Sequence, residues 1–340
     1  MLRRSLLAAM PATLFAPHVL RAQERVVNLY SSRHYDSDRT LYDAFAQQSG
    51  IRVRLIEANA DQLLERIRAE GANSPADVIL TVDASRLARA AEMGLTQPVG
   101  SSVIAARIPA ALIGPQGQWF AVSRRARVAM FDKARGVPEG LARYEDLAHE
   151  RFRGQLVIRS SGNGYNIALA ASFLAANGEA TTEAWARGIA ANLARPPAGG
   201  DTDQIRAMLA GQGRIALANT YYLGLMAVSQ RAEDRELAQR VGVVFPNQGD
   251  RGTHVNISGA ALVRTAPNAE NARRFLEFLT TAEAQRIFAL GNMEYPASTD
   301  AETHPFLTGL GAFKAEVPDG AKLLANAPEA LRILQRAGWR

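Results

Sequence analysis

Eight tyrosines are spread through a chain of 340 residues that has no cysteine. Four of them stand at joints of one kind, where an apolar, strand-like run gives way to a helical pattern. In NLYSSRHYDSD, Tyr35 follows such a run, with His34 beside it. In LVIRSSGNGYNIAL the same place is held by Tyr165, and in RIALANTYYLGLM by the pair Tyr221 and Tyr222. Successive side chains of a regular strand point to opposite faces, so this pair does not fit a strand core.

A phenol is a hard oxygen donor whose ordinary pKa is about 10. A highly charged cation keeps it ionised, because a bound metal inverts the local pKa logic. Trivalent iron suits such a donor set best, since copper favours Cys or Met and zinc favours Cys and His. Calcium or magnesium would need clustered carboxylates. Asp36 and Asp38 lie at one joint, and the other two joints carry no acid. The competing reading has each ring covering an apolar edge from a loop.

Phenolates around a ferric ion leave a net negative site, which nearby arginine would balance. VSRRARVAM supplies Arg125 and Arg127, which share a face if the segment is a strand. Either offers a planar fork to a small oxyanion such as carbonate, or else lines a solvated strand edge. RSSGNG, with Ser160 and Ser161, offers hydroxyls and backbone N–H groups ahead of a helix. That suits an anion nest, and equally an ordinary capped turn.

These residues need a scaffold. Hydrophobic content of 47% and charged content of 21% describe a globular chain long enough for two lobes. The first 22 residues read as a secretory signal, with Arg3 and Arg4, an apolar stretch from Leu6 to Phe15, and Ala22 at the cut. Removing Arg3, Arg4 and Arg21 lowers the net charge from +6 to about +3, which is no nucleic-acid footprint. An exported chain without cysteine must rely on its core alone and has no thiolate metal site or Cys nucleophile.

Behind the signal, strands are expected over 25–31, 51–58 and 76–83, alternating with helices over 36–50, 61–71 and 84–94. The first helix is expected to be capped by Asp36 or Ser37. This alternation predicts a parallel, doubly wound α/β sheet. A strand pair or crossing strand covers 118–132. A second α/β lobe follows, with strands over 154–160, 214–220, 241–247 and 256–264 and helices over 166–178, 181–193 and 201–213. The chain is mostly helical from 268–289 onward. Two such lobes suggest a cleft between them, outside the carboxyl ends of the strands, where ligands bind.

GGDTDQIRAMLAGQGRIALANTYYLGLM (199–226) closely resembles the ferric-iron-binding proteins of bacterial ABC transporters. FPNQGDRGTHVNISGAALVRTAPN, FLEFLTTAEAQ, NLYSSRHYDSD and PADVILTVDASRL resemble the same family, and the likeness runs from about Val26 to beyond residue 310. It implies the two-lobed type II periplasmic-binding-protein fold, with a ligand cleft between lobes joined by hinge strands. The implied division is 1–22 signal, 23–125 first lobe, 126–255 second lobe, and 256–340 the return to the first lobe with C-terminal helices.

By the same resemblance Tyr221, Tyr222 and Tyr165 are iron ligands from the second lobe. Tyr35 and His34 match first-lobe ligands of the tyrosine-rich branch. Asp83 stands near where another branch places a glutamate ligand, so glutamate ligation is not supported here. Arg125, with Arg127 as the second choice, matches the arginine that holds a synergistic anion, carbonate or another small one. The implied function is to bind Fe3+, free or as a chelate, in the periplasm and deliver it as a monomer to an inner-membrane ABC permease. The alternative is a periplasmic receptor for an organic solute or oxyanion, held by Arg125 and the tyrosines.

An enzyme finds little support. HERFR at His149 lacks the second His of a zinc-protease motif, and GQGRIA precedes a strand where a dinucleotide loop would follow one. No nucleophile elbow or phosphate-binding loop occurs. His254 and His304 read as surface residues.

Overall fold

A computed structural model describes residues 25–33, 35–316 and 319–340. The expected signal segment and His34 lie outside the described residues. In chain order the first elements are β1 (Val26–Ser31), α1 (Ser37–Ser49), β2 (Arg52–Glu57), α2 (Ala60–Glu70), β3 (Val78–Thr81), α3 (Ala84–Glu92), β4 (Thr96–Gln97) and α4 (Ser102–Arg107). The long strand β5 (Phe120–Asp132) leads to β6 (Leu156–Val157), α5 (Gly164–Asn177), α6 (Glu179–Ala191), α7 (Asp201–Leu209), β7 (Ile215–Asn219), α8 (Thr220–Ala227), α9 (Ala232–Arg240) and β8 (Val241–Val244). A second long strand, β9 (Thr253–Val263), precedes α10 (Ala269–Phe278), α11 (Ala282–Asn292), β10 (Tyr295–Pro296), α12 (Pro305–Gly309), β11 (Ala315–Glu316) and α13 (Gly320–Arg336).

The expected α/β pattern is present. β1 lies between β2 and β3, parallel to both. VVNLYS and VILT are buried on both faces, as strands covered by helices on each side must be. RVRLIE exposes Arg52, Arg54 and Glu57, and such charges guard a sheet edge. β9 returns antiparallel to β3 and pairs with β5.

β5 belongs to both lobes. Up to Ala126 it pairs with β9, and from Arg127 onward it pairs with β7 and then β8. The segment 118–132 is thus one crossing strand. α13 packs against α3 of the first lobe and α5 of the second. Beyond it, the buried Trp339 donates its indole N–H to the Arg159 carbonyl at 2.9 Å and fixes the loop before α5.

Several boundaries differ from the sequence reading for local reasons. α5 starts at Gly164, because the Asn163 side chain accepts from the Tyr165 N–H and caps the helix there. Tyr165, Tyr221 and Tyr222 therefore lie inside the first turns of α5 and α8, whereas Tyr35 precedes α1. Asp36 makes no side-chain capping bond to α1, and Asp38 turns to Arg33. The strand expected over 154–160 contracts to two residues. The helical run over 268–289 breaks where Thr281 caps α11. β9 begins three residues early, at Thr253.

Candidate functional site

Two helices of the second lobe begin side by side at their tyrosines. The Tyr165 and Tyr221 phenol oxygens are 2.9 Å apart. The Tyr221 and Tyr222 rings stack with centroids 4.1 Å apart, and Tyr165 meets Tyr222 edge-on at 6.4 Å. At a helix start, neighbouring side chains need not alternate as they do along a strand, so Tyr221 and Tyr222 face one space.

Arg127 holds the two joints together from β5. Its guanidinium donates to Asn166 Oδ1 at 2.6 Å, next to Tyr165 in α5. It also donates to Asn219 Oδ1 at 3.1 Å, just before α8, and pairs with Asp201 at 3.1 Å. Asp201 in turn accepts from the Asn219 N–H at 2.8 Å. Asn166 donates to the carbonyls of Arg159 and Ser160 and closes the ring of contacts. Arg159 lies over the Tyr165 ring and donates to the Tyr222 phenol oxygen at 3.5 Å.

Tyr35 faces this wall from the first lobe. Burial pushes its phenol up to about 12, and the Glu294 carboxylate adds to the shift. Arg125 and Arg33 oppose the shift, whereas a negative charge at Tyr165 would raise it further. Burial also pushes the Tyr221 phenol well above its usual range, reinforced by Tyr165, Tyr35 and Tyr222. Tyr222 is raised for the same first reason, burial, and next by Tyr165. Phenols from both lobes thus lie within electrostatic reach of one another in a poorly solvated place. Tyr35, Tyr221 and Tyr222 resist ionisation alone, and a trivalent cation among them would reverse that preference.

Arg125 is buried, as is Arg127, so neither lines a solvated edge. Their Nε atoms have no hydrogen-bond partner. Together with Tyr165, Asn219, His254 and Asn256 they line a cavity of about 10 Å³, room for about one water. A larger cleft of about 240 Å³ opens beside Tyr165, between Ser32, Asp83 and Arg86 of the first lobe and Ile167 of the second. The N-termini of α2, α3 and α5 reach this cleft, which favours negative charge within it. Ser161 is buried and Ser160 exposed at the start of the α5 loop.

The Asp83 carboxylate is committed to structure: it caps α3 through the Ser85 N–H and accepts from Asn256 Nδ2. His254 is not a surface residue. It is buried on β9, with Nδ1 3.3 Å from the Glu316 carboxylate on β11. His304 caps α12 through its ring nitrogen. Among the described residues, no three His, Asp or Glu side chains group to hold a metal ion.

Residues 39–290 match the family described as bacterial extracellular solute-binding protein. The chain belongs to this family. Iron uptake protein A1 of Synechocystis is 47% identical to this solute-binding protein over 94% of the present chain and 88% of its own length. A solved structure of the Trichodesmium protein IdiA (FutA), in complex with iron and citrate ligands, is 48% identical. It superposes with a TM-score of 0.87, covering 93% of this chain and all of that one. The ferric binding protein of Campylobacter jejuni gives 0.85 at 39% identity, over 92% of this chain and all of its own. The two-lobed architecture of the solute-binding protein is that of these structures.

Proposed function

We propose that this solute-binding protein takes up ferric iron in the periplasm and delivers it to an inner-membrane ABC permease. The ligands are the phenolates of Tyr35, Tyr165, Tyr221 and Tyr222, with His34 as a further donor beside Tyr35. The observation that carries this reading is the convergence of Tyr165, Tyr221 and Tyr222 from two helix starts, with Tyr35 opposite. Relatives named for iron uptake and ferric binding support it.

The second-lobe wall is held from within by Arg127, Asn166 and Asp201. The ion therefore binds there first, and rotation about β5 and β9 brings Tyr35 to it. Each phenol gives up its proton as it ligates. Four phenolates outweigh the charge of one ferric ion, and buried Arg125 and Arg127 offset the excess. Their unpartnered Nε–H groups suit a small anion such as carbonate, or a carboxylate of the incoming chelate. The protein acts as a monomeric carrier and transforms nothing.

The test is optical. Purified protein mixed with ferric citrate should develop the visible charge-transfer colour of a ferric phenolate, and a strong chelator should bleach it. Protein that stays colourless at saturating ferric citrate overturns the proposal.

A further inference from the structure

The first-lobe half of the shell rests on a buried charge cluster that is built from four distant parts of the chain. Arg33 stands two residues before Tyr35, and its guanidinium lies 4.7 Å from the centre of the Tyr35 ring and 4.9 Å from that of Phe288 on α11. Asp38 pairs with Arg33 Nε at 2.8 Å. Glu294, wholly buried, accepts from Arg33 Nη1 at 3.3 Å through Oε2, while its Oε1 lies 3.5 Å from Arg125 Nη1. Ser123 donates to Glu294 at 2.8 Å, and Ser258 accepts from both guanidinia, at 2.6 and 3.1 Å. One carboxylate therefore ties the Tyr35 loop to Ser123 and Arg125 of β5, and Ser258 of β9 joins the cluster through the two guanidinia.

The place of Glu294 is fixed from the other lobe. Met293, just before it, has a left-handed backbone with φ of 53°, which is rare for a residue with a side chain. A Cβ on Gly224 would lie 2.6 Å from the Met293 Cβ, so the missing side chain at Gly224 lets α8 close onto this turn. α8 carries Tyr221 and Tyr222 in its first turn. Residues 293 and 294 thus contact the tyrosine helix on one side and the Tyr35 loop on the other.

We propose that Glu294 is a positioning residue for iron capture, which sets Tyr35 against the second-lobe phenols by holding Arg33 beneath its ring and in register with Arg125. This rests on the assignment of Tyr35 as a ligand. Glutamine at 294 would keep the shape. It would also turn an amide N–H toward one of two guanidinia and remove the carboxylate they share. Arg33 then keeps Asp38 and the Ser123 and Ser258 hydroxyls but loses its charged link to Arg125, so the cation against the Tyr35 ring is held less firmly.

The experiment is a double-mutant cycle on the full chain, with ferric citrate as probe and chelator competition as the measure of affinity. Glu294→Gln should weaken ferric binding by about tenfold, in the range for members of one hydrogen-bond network. It should also move the charge-transfer band. In a Tyr35→Phe background the same substitution should change affinity less than about twofold, because its effect passes through Tyr35. Equal loss in both backgrounds, or no loss with native Tyr35, overturns the proposal. Arg33→Lys keeps the charge and loses the flat face beneath the ring. It should shift the band as Glu294→Gln does, and it decides the matter if Glu294→Gln does not fold. An unshifted band in that variant also overturns the proposal. If Tyr35→Phe alone leaves colour and affinity unchanged, the ligand assignment itself has failed, and that result differs from failure of Glu294 alone.

Discussion

The phenol oxygens of Tyr165 and Tyr221 are 2.9 Å apart, although 56 positions separate them in the chain. A hydrogen bond at that distance requires one of the two to keep its proton. Two phenolates so close would repel, unless a cation lies between them. On the proposed ferric function, the pair is a hydrogen-bonded contact when unloaded and a pair of ligands when loaded.

Replacing Tyr221 with Phe keeps the ring stacked on Tyr222 and removes only the donor oxygen. We expect ferric affinity to fall at least about a hundredfold, beyond the 10–100-fold typical of residues one shell further out. The unfolding midpoint of the unloaded protein should barely move. Chelator competition and thermal melting measure the two sides.

Iron loading should acidify an unbuffered solution. Burial holds Tyr35 at about 12 and keeps Tyr221 and Tyr222 above their usual range, so all three are protonated at neutral pH. Each that ligates must release its proton, and affinity should drop steadily as the pH falls. Proton release on titration with ferric citrate, read with a pH electrode and corrected by the same titration without protein, reports the phenols involved. Release of no protons would rule out phenolate ligation.

The unloaded protein should lose stability in alkali. The Tyr35 phenol has a folded value raised above its unfolded value of about 10. Its contribution is fully present below pH about 10 and is lost as pH rises through about 12. Tyr221 and Tyr222 shift the same way and add to the loss. Urea midpoints measured across this window should fall, and Tyr35→Phe should flatten the decline.

Arg127→Met removes one partner of a fully buried ion pair and leaves Asp201 facing the more distant Arg159, at 3.8 Å. Breaking a buried pair costs up to about 3–5 kcal/mol. Because Arg127 also anchors Asn166 and Asn219, ferric affinity should fall together with the urea midpoint. Restoration of stability but not affinity by a second change, Asp201→Asn, would separate the two roles.

Gly224→Ala should force α8 away from Met293, since the added Cβ has only 2.6 Å of room. Overpacking of this kind costs about 1–3 kcal/mol, and the better helix propensity of alanine returns up to about 1 kcal/mol. A lower melting temperature together with weaker iron binding is the expected result.

Much of this was legible in the sequence where the signal was local. The alternation of apolar runs with helical patterns marked the first-lobe strands and helices. The four tyrosines stood out because they shared one kind of joint. Boundaries failed where a single side chain decided them, as Asn163 does for α5 and Thr281 for α11. His254 was misread because its partner, Glu316, lies 62 residues away and nothing in its neighbours predicts burial. Asp201 and Glu294 were missed for a similar reason. Each serves the site through partners brought close only by folding, 74 residues away for Arg127 and 261 for Arg33. Arg33 and Arg159 lay in the quoted tyrosine motifs, and the sequence held no cue that separated them from surface arginines.

β5 changes sheets between Ala126 and Arg127, so Arg125 is paired to Asn256 while Arg127 is paired to Asn219. A rotation of the lobes about β5 and β9, as proposed above, would sweep each atom through an arc proportional to its distance from the axis. Groups carried on those strands, the Arg125 and Arg127 guanidinia among them, would then travel less than Tyr35. Positive charge would stay near the fulcrum while the oxygen donors ride the lever arms, so opening would draw the donors apart and leave in place the charge that repels a trivalent ion.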